Sequence, residues 1–420
     1  MRIKREQNSA KITESTNLLP SIFIHFMTTP RSLKALIDSL KTNSRKVGLL
    51  CNQTAFLFEE KMYLMDWLAK EKVLKTIFVP EHGLFSELQD QEALENAEIY
   101  HFWEGVNCVS LYGHDEQSLK VSPEQVEELD DILIDIQDVG CRYFTYLTTI
   151  AYLFETISRC QRPPRVWVID HPNPAGRQVE GSPILATYAS FIGHEGLPHR
   201  HGLTLGEIAL WLKEFYKGAF DLQVLMASTP DYFMQIYPSP NFPSLQTAEL
   251  YSGQCLFEAT ILSEGRGTTR PFEIVGAPFL RWETLHRIKH DVEHLSKEYD
   301  WFNYVLRPLQ FIPTFHKYAN ELCGGFQIHL STHVKNHSLL SSLLLLRVFN
   351  EHILNFWRTG SYEKGNPRTA LEILVGDKLL LDFVRGKQPL LEAITYLKES
   401  ENQWINSVGY LSKEPLFSLL

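Results

Sequence analysis

Six short apolar runs, each followed by polar residues and separated from the next by amphipathic stretches, constrain this chain more than any other feature. The runs are Val47–Asn52, Thr76–Pro80, Val109–Leu111, Ile132–Ile136, Val166–Ile169 and Leu222–Met226. Candidate helices lie between them. Ser122-Pro123-Glu124-Gln125 reads as a capping box with proline at the first helical position. Thr204-Leu205-Gly206-Glu207 reads as another, opening a helix through about Tyr216. Thr145–Arg159 reads as the helix between the fourth and fifth runs. Strands that alternate with helices join by right-handed crossovers, so the expected fold is α/β, with a mostly parallel sheet covered on both faces.

After Ala227 the texture changes. Tyr237-Pro238-Ser239-Pro240-Asn241-Phe242-Pro243 is a proline-rich connection. Beyond it, strands are expected at Cys255–Leu262 and Gly325–Leu330, and helices near Trp282–Tyr299, Ser338–Arg358 and Leu390–Glu399. That mixture describes a second, smaller α+β domain. A chain of 420 residues has room for two or three domains. The expected division is a flexible arm at 1–29, a catalytic domain at 30–236 and a domain at 237–420 that completes the cleft.

Composition removes several partners. The formal net charge is −10 and there is no block of Lys and Arg, so neither nucleic acid nor an anionic membrane is expected. The run Leu339–Leu346 is too short to span a bilayer. The run Leu18–Met27 is short and holds Pro20 and His25, so no clear signal peptide is read and a cytoplasmic location is expected, with periplasm or secretion as the alternative. The six cysteines form no CxxC pair and sit in or beside apolar runs, as buried reduced thiols do. Oligomeric state is not legible.

Four of the runs end in groups that carry chemistry: Cys51-Asn52-Gln53, Pro80-Glu81-His82-Gly83, Ile136-Gln137-Asp138 and Asp170-His171-Pro172-Asn173. Ligands of open parallel sheets bind outside the carboxyl ends of the strands. Asn52, Gln53, His82, Gln137, Asp170 and Asn173 are therefore candidate substrate-binding residues. Single residues at such ends also cap helices and make turns. Glu81, after a proline at the end of a buried strand, suits a general acid; its bland alternative is a helix cap.

Ser263-Glu264-Gly265-Arg266-Gly267-Thr268-Thr269-Arg270-Pro271-Phe272-Glu273 is the most informative single stretch. Glycines flank Arg266, whose planar fork suits a carboxylate or phosphate. The alternative is a structural loop with an internal Glu264–Arg ion pair. His194, His199 and His201 lie close together without a recognised zinc spacing, so no metal and no cofactor are expected. No GxSxG elbow is present.

Together these motifs resemble those of the exo-β-N-acetylmuramidases of the NamZ type, a glycoside hydrolase family formerly known as a domain of unknown function. The matching stretches are Gly48 to Thr54, Pro80-Glu81-His82-Gly83, Ser110-Leu111-Tyr112-Gly113, Asp135 to Gly140 and Asp170-His171-Pro172-Asn173-Pro174. They continue with Arg200-His201-Gly202-Leu203-Thr204, Pro238-Ser239-Pro240-Asn241 and Ser263 to Pro271. The chain departs from the common pattern at Tyr143-Phe144, His171 and Ile261. The resemblance implies a Rossmann-like N-terminal domain, a smaller C-terminal domain, and removal of N-acetylmuramic acid from the non-reducing end of peptidoglycan fragments. It makes Glu81 the catalytic glutamate.

Glycoside hydrolysis generally uses two carboxyl groups. Asp138, Asp135, Asp170 and Glu264 are candidates for the second, with Asp138 preferred. Arg266 or Arg142 suits the lactyl carboxylate of the sugar, and Tyr143, Tyr146 and Phe242 suit an apolar platform. His201 and Asn241 complete the expected substrate contacts. The expected partner is a peptidoglycan-derived sugar or muropeptide. Two other classes remain: a non-catalytic muropeptide-binding protein on the same scaffold, and a metal-dependent hydrolase using the histidines.

Overall fold

The computed structural model describes residues 32–87, 102–111, 119–226, 236–330, 336–360, 362–363 and 366–420. The expected arm at 1–29 and the motif residues Tyr112 and Gly113 lie outside them.

All six apolar runs are strands of one parallel sheet: β1 (Val47–Cys51), β4 (Leu74–Val79), β5 (Asn107–Ser110), β6 (Asp131–Asp135), β7 (Arg165–Asp170) and β8 (Leu222–Met226). Two short strands, β2 (Phe56–Leu57) and β3 (Met62–Tyr63), form a separate hairpin. The sheet order is β5-β4-β1-β6-β7-β8. Counting only its own strands, that is the order of a doubly wound nucleotide-binding fold, with the switch point between β1 and β6.

Alternate side chains of each strand enter different cores. Leu49, Ile77, Val79, Leu133, Trp167 and Ile169 pack with α1 (Leu33–Thr42) and α2 (Leu64–Lys70) on one face. Leu50, Phe78, Ile132, Ile134, Val166 and Val168 pack with α4 (Tyr146–Arg159) and α5 (Leu205–Phe215) on the other. Burial on both faces is why the strands read as unbroken apolar runs. Both expected capping boxes form: Ser122 opens α3 (Pro123–Glu127), with Gln125 reaching back, and Thr204 opens α5, with Glu207 reaching back.

The core on the second face continues into the C-terminal half. There β9 (Ile274–Ala277), β10 (Tyr304–Phe311) and β11 (Cys323–Leu330) form an antiparallel sheet in the order β10-β11-β9. Around it lie α6 (Leu245–Gln254), α7 (Trp282–Ser296), α8 (Ser338–His352), α9 (Ala370–Val375), α10 (Lys378–Val384) and α11 (Leu390–Val408). One expectation fails. Cys255–Leu262 is not a strand; Cys255–Ala259 is a 3₁₀ helix that continues α6, and all its residues are buried. A short apolar run buried on every side has no period to separate strand from helix. Among the described residues no helix is long and apolar enough to cross a membrane.

Candidate active site

Glu81 stands one residue beyond Pro80, where β4 ends. The Gly83 amide donates to the Pro80 carbonyl at 3.3 Å, closing a tight turn. His82 and Gly83 both take left-handed backbone, with φ of 73° and 85°. That conformation is costly for histidine, and strain of this kind gathers at functional sites. Glu81 is buried, and the Thr145 hydroxyl donates to its Oε2.

Thr145 is the N-cap of α4, and Tyr146, the first residue of that helix, ties the strand ends together. Its phenol accepts from Asn52 Nδ2 at 2.7 Å and donates to the Pro238 carbonyl at 2.9 Å, with the Glu81 carbonyl 3.4 Å away. Burial pushes this phenol far above its ordinary pKa, so the proton stays in place. Asn52 Oδ1 accepts from the Thr54 amide and hydroxyl, at 3.0 and 2.7 Å. The Gln137 backbone N–H donates to that hydroxyl at 3.0 Å, while its side chain donates to the Asp138 and Pro172 carbonyls. Gln53 Nε2 donates to the Tyr237 carbonyl at 2.7 Å. Asn52, Gln53, Gln137 and Tyr146 thus fasten the ends of β1 and β6 and the 237–238 backbone around Glu81.

A cleft of about 510 Å³, counting space open to solvent, lies beside Glu81. Glu81, His82, Tyr143, Phe144 and Thr145 line it from the sheet. Ser239, Asn241 and Phe242 line it from the proline-rich connection. Tyr251, Cys255, Glu258, Arg266, Phe272 and Tyr362 line it from the C-terminal half. Phe144, Phe242, Tyr251 and Phe272 meet edge-on or tilted, with centroids 4.7 to 6.2 Å apart, and give this space an aromatic floor.

The C-terminal side is an ion network. Arg266 Nη2 donates to Glu258 Oε1 at 2.7 Å, and the Tyr362 hydroxyl donates to Glu258 Oε2. The Arg266 guanidinium lies 5.3 Å from the Phe272 ring centre. Behind it, Glu264 meets Lys317 Nζ at 2.9 Å, His316 Nδ1 at 3.1 Å and Arg266 Nε at 3.7 Å. Burial alone would raise the Glu264 carboxyl; Lys317, His316 and Arg266 outweigh it and hold the group well below its ordinary 4.5. Gly265 and Gly267 are left-handed, and a Cβ would meet Arg270 O at 2.8 Å in one case and the Phe315 backbone at 2.7 Å in the other. Their role is the tight path of the loop, where the sequence had suggested room around Arg266.

Two family models, described as the N-terminal and C-terminal parts of exo-beta-N-acetylmuramidase NamZ, match residues 47–246 and 249–410. The chain belongs to this family. It is similar to the peptidoglycan beta-N-acetylmuramidase NamZ of Bacillus subtilis (strain 168), with 34% identity over 347 residues, 78% of this chain and 80% of that one. Two solved DUF1343 family proteins from Bacteroides fragilis NCTC 9343 share its fold. One has a TM-score of 0.70 at 21% identity, covering 90% of this chain and 97% of the other. The second has a TM-score of 0.66 at 25% identity, covering 91% and 97%.

Within this NamZ-family chain, the structure brings Glu81, His82, Tyr143, Asn241, Phe242 and Arg266 to one cleft. The other expected contacts do not line it. Asp138 Oδ2 accepts from the Gly140 amide at 2.6 Å and lies 3.5 Å from His201 Nε2, while His201 Nδ1 accepts from Leu203 N at 3.1 Å. Asp170 accepts from Gly206 N and the Thr204 hydroxyl at the start of α5, and burial pushes its carboxyl up. Asn173 makes a turn with Ala175 N and reaches the Leu203 carbonyl. Arg142 is 1% exposed and donates to the carbonyls of Leu374 and Val375, at the C-terminal end of α9. A guanidinium there satisfies the last helical carbonyls, the position that favours cations. Asp135 pairs with His171 at 2.7 Å.

The histidines bond separately from one another: His194 with Glu195 O and Tyr216 OH, His199 with Val375 O and Arg142 Nη2. Among the described residues no three His, Cys, Asp or Glu gather as a metal site. Sequence reasoning missed Glu258, Tyr251, Phe272 and Tyr362. The available signal for Glu258 was a lone carboxylate inside Cys255–Leu262, since acidic residues are almost never buried without a partner.

Proposed function

We propose that the chain is an exo-β-N-acetylmuramidase that hydrolyses the glycosidic bond at the non-reducing end of peptidoglycan fragments and frees N-acetylmuramic acid. Residues 30–236 supply the general acid and residues 237–420 complete the cleft. The observation that carries the reading is Glu81: a buried carboxyl on a left-handed turn, held by Thr145, at the edge of an aromatic-floored cleft. Glu81 donates its proton to the glycosidic oxygen as the C1–O bond breaks. Phe242 and Tyr251 offer the apolar surface a pyranose ring packs on. Arg266 is the arginine that lines the cleft among the described residues, and it takes the lactyl carboxylate.

The test is digestion of defined fragments ending in either N-acetylmuramic acid or N-acetylglucosamine. Free N-acetylmuramic acid from the first set, with the second set untouched, is the expected result. Binding without release would leave a muropeptide-binding protein, and cleavage at internal bonds would refute the exo mode.

A further inference from the structure

Glu258 has no part in the function as stated so far. It sits on the 3₁₀ helix Cys255–Ala259, whose other residues are apolar and buried. Both its oxygens accept, one from Arg266 at 2.7 Å and one from Tyr362. The carboxylates that the sequence nominated as Glu81's partner are held elsewhere: Asp135 by His171, Asp170 by Gly206 N, Glu264 by Lys317 and Asp138 by Gly140 N. None of those four lines the cleft; Glu81 and Glu258 are the carboxylates that do, among the described residues. Glycoside hydrolysis generally needs two.

We propose that Glu258 is the second catalytic carboxylate of the cleft, paired with Glu81 and held in place by Arg266 and Tyr362. The proposal rests on the glycosidase reading. The oxygen of a water bonds to C1 as the bond from C1 to the departing oxygen breaks. Glu81 gives its proton to the departing oxygen, and Glu258 takes a proton from the attacking water. Release of one proton from Glu258 to solvent and uptake of one by Glu81 restore both groups. Arg266 and, weakly, the Cys255 thiol occupy Oε1, while the Tyr362 phenol takes one site on Oε2, so Oε2 keeps a lone pair for the water, since a carboxylate has about four acceptor sites. Because α6 runs into the 3₁₀ helix without a break, the carboxylate is carried by a packed element.

The test uses an aryl glycoside of N-acetylmuramic acid and the full chain carrying Glu258→Gln or Glu258→Ala. Loss of kcat by about 10²–10⁴-fold is expected in both, with KM changed far less. Alanine also opens space beside C1, so sodium azide should restore turnover in Glu258→Ala. The azide nitrogen bonds to C1, the aryl oxygen leaves with the bonding pair, and a glycosyl azide accumulates. A purely structural role would give no such product. Glu258→Gln with kcat within about threefold of wild type would overturn the proposal while leaving the glycosidase reading intact. So would a folded Glu258→Ala that azide fails to revive. If the wild-type chain releases no sugar at all, the glycosidase reading falls and this assignment falls with it.

Discussion

The two sides of the cleft are held by different means. On the sheet side, Glu81 is fixed by neutral groups: a threonine hydroxyl, a buried phenol, two amide side chains and a tight turn. On the C-terminal side, Glu258 is fixed by charge: Arg266 against Glu258 and Glu264, with Lys317 behind. The neutral frame orients the Glu81 carboxyl through one direct hydrogen bond, from the Thr145 hydroxyl, and a turn tied to the neighbouring strand ends. The Glu258 carboxylate accepts directly from a guanidinium and a phenol, one on each oxygen. The contrast teaches that the two proposed catalytic carboxylates are positioned by different chemistry, one by neutral hydrogen-bonding groups and one by a cation and a phenol.

Breaking the frame of the charged side should cost more than breaking that of the neutral side. Arg266→Ala removes the partner of Glu258 and the cation proposed for the lactyl group. The fall expected in kcat/KM for a muramic glycoside is about 10²-fold, from the loss of charge-assisted hydrogen bonds at about 1.5–3 kcal/mol each. Preference over the corresponding N-acetylglucosamine glycoside should shrink. Arg266→Lys should rescue only part of it, since the fork is lost. A full preference in folded Arg266→Ala would remove the arginine from sugar selection.

Breaking the neutral side at a distance should cost less. Tyr146→Phe leaves Asn52 and the Pro238 carbonyl without their bond, at about 1–3 kcal/mol of stability. Turnover should fall about tenfold with little change in KM, as Glu81 loses its frame. Unchanged kcat would show that the strand-end network is dispensable for positioning.

Much of the sheet side was legible because topology did the placing. Once the apolar runs are parallel strands, their carboxyl ends share one edge, and Asn52, Glu81, Gln137 and Asp170 must meet there. What the sequence could not separate is which of these face the cleft and which fasten it: Asn52 and Glu81 look alike as strand-end polar residues, and only the position of Tyr146 distinguishes them. Arg142 misled for the same reason. An arginine after QDVGC reads as a substrate cation until the α9 carbonyls, more than two hundred residues away, are seen around it. The C-terminal side was obscure because Glu258 lies on a short buried helix with no period, and because Tyr362 comes from a distant segment.

The ion network makes stability depend on pH through Glu264. Glu264 titrates below its ordinary 4.5 in the folded chain, so its stabilisation is complete above that value and drains away as pH falls through the folded pKa. Glu264→Gln should therefore lower Tm at neutral pH, by a loss of about 1.5–3 kcal/mol, and the gap to wild type should close on acidification. A gap that widens in acid would reverse the sign of the coupling.

The smallest effect is expected at the turn itself. His82→Gly relieves a left-handed histidine, so Tm should be no lower than wild type. Sugar release should still weaken, because His82 lines the cleft. A lower Tm with unchanged kcat/KM would make His82 a structural residue only.

Glu81 is proposed to deliver the proton to the leaving oxygen, and leaving-group dependence tests that role most directly. Glu81→Gln is compared with wild type on a disaccharide ending in N-acetylmuramic acid and on a dinitrophenyl glycoside of the same sugar. The sugar alcohol needs a proton to depart; the nitrophenolate does not. The expected result is a loss of about 10²–10⁴-fold on the disaccharide and a much smaller loss on the aryl glycoside. An equal loss on both substrates, or near-normal turnover of the disaccharide, would contradict it.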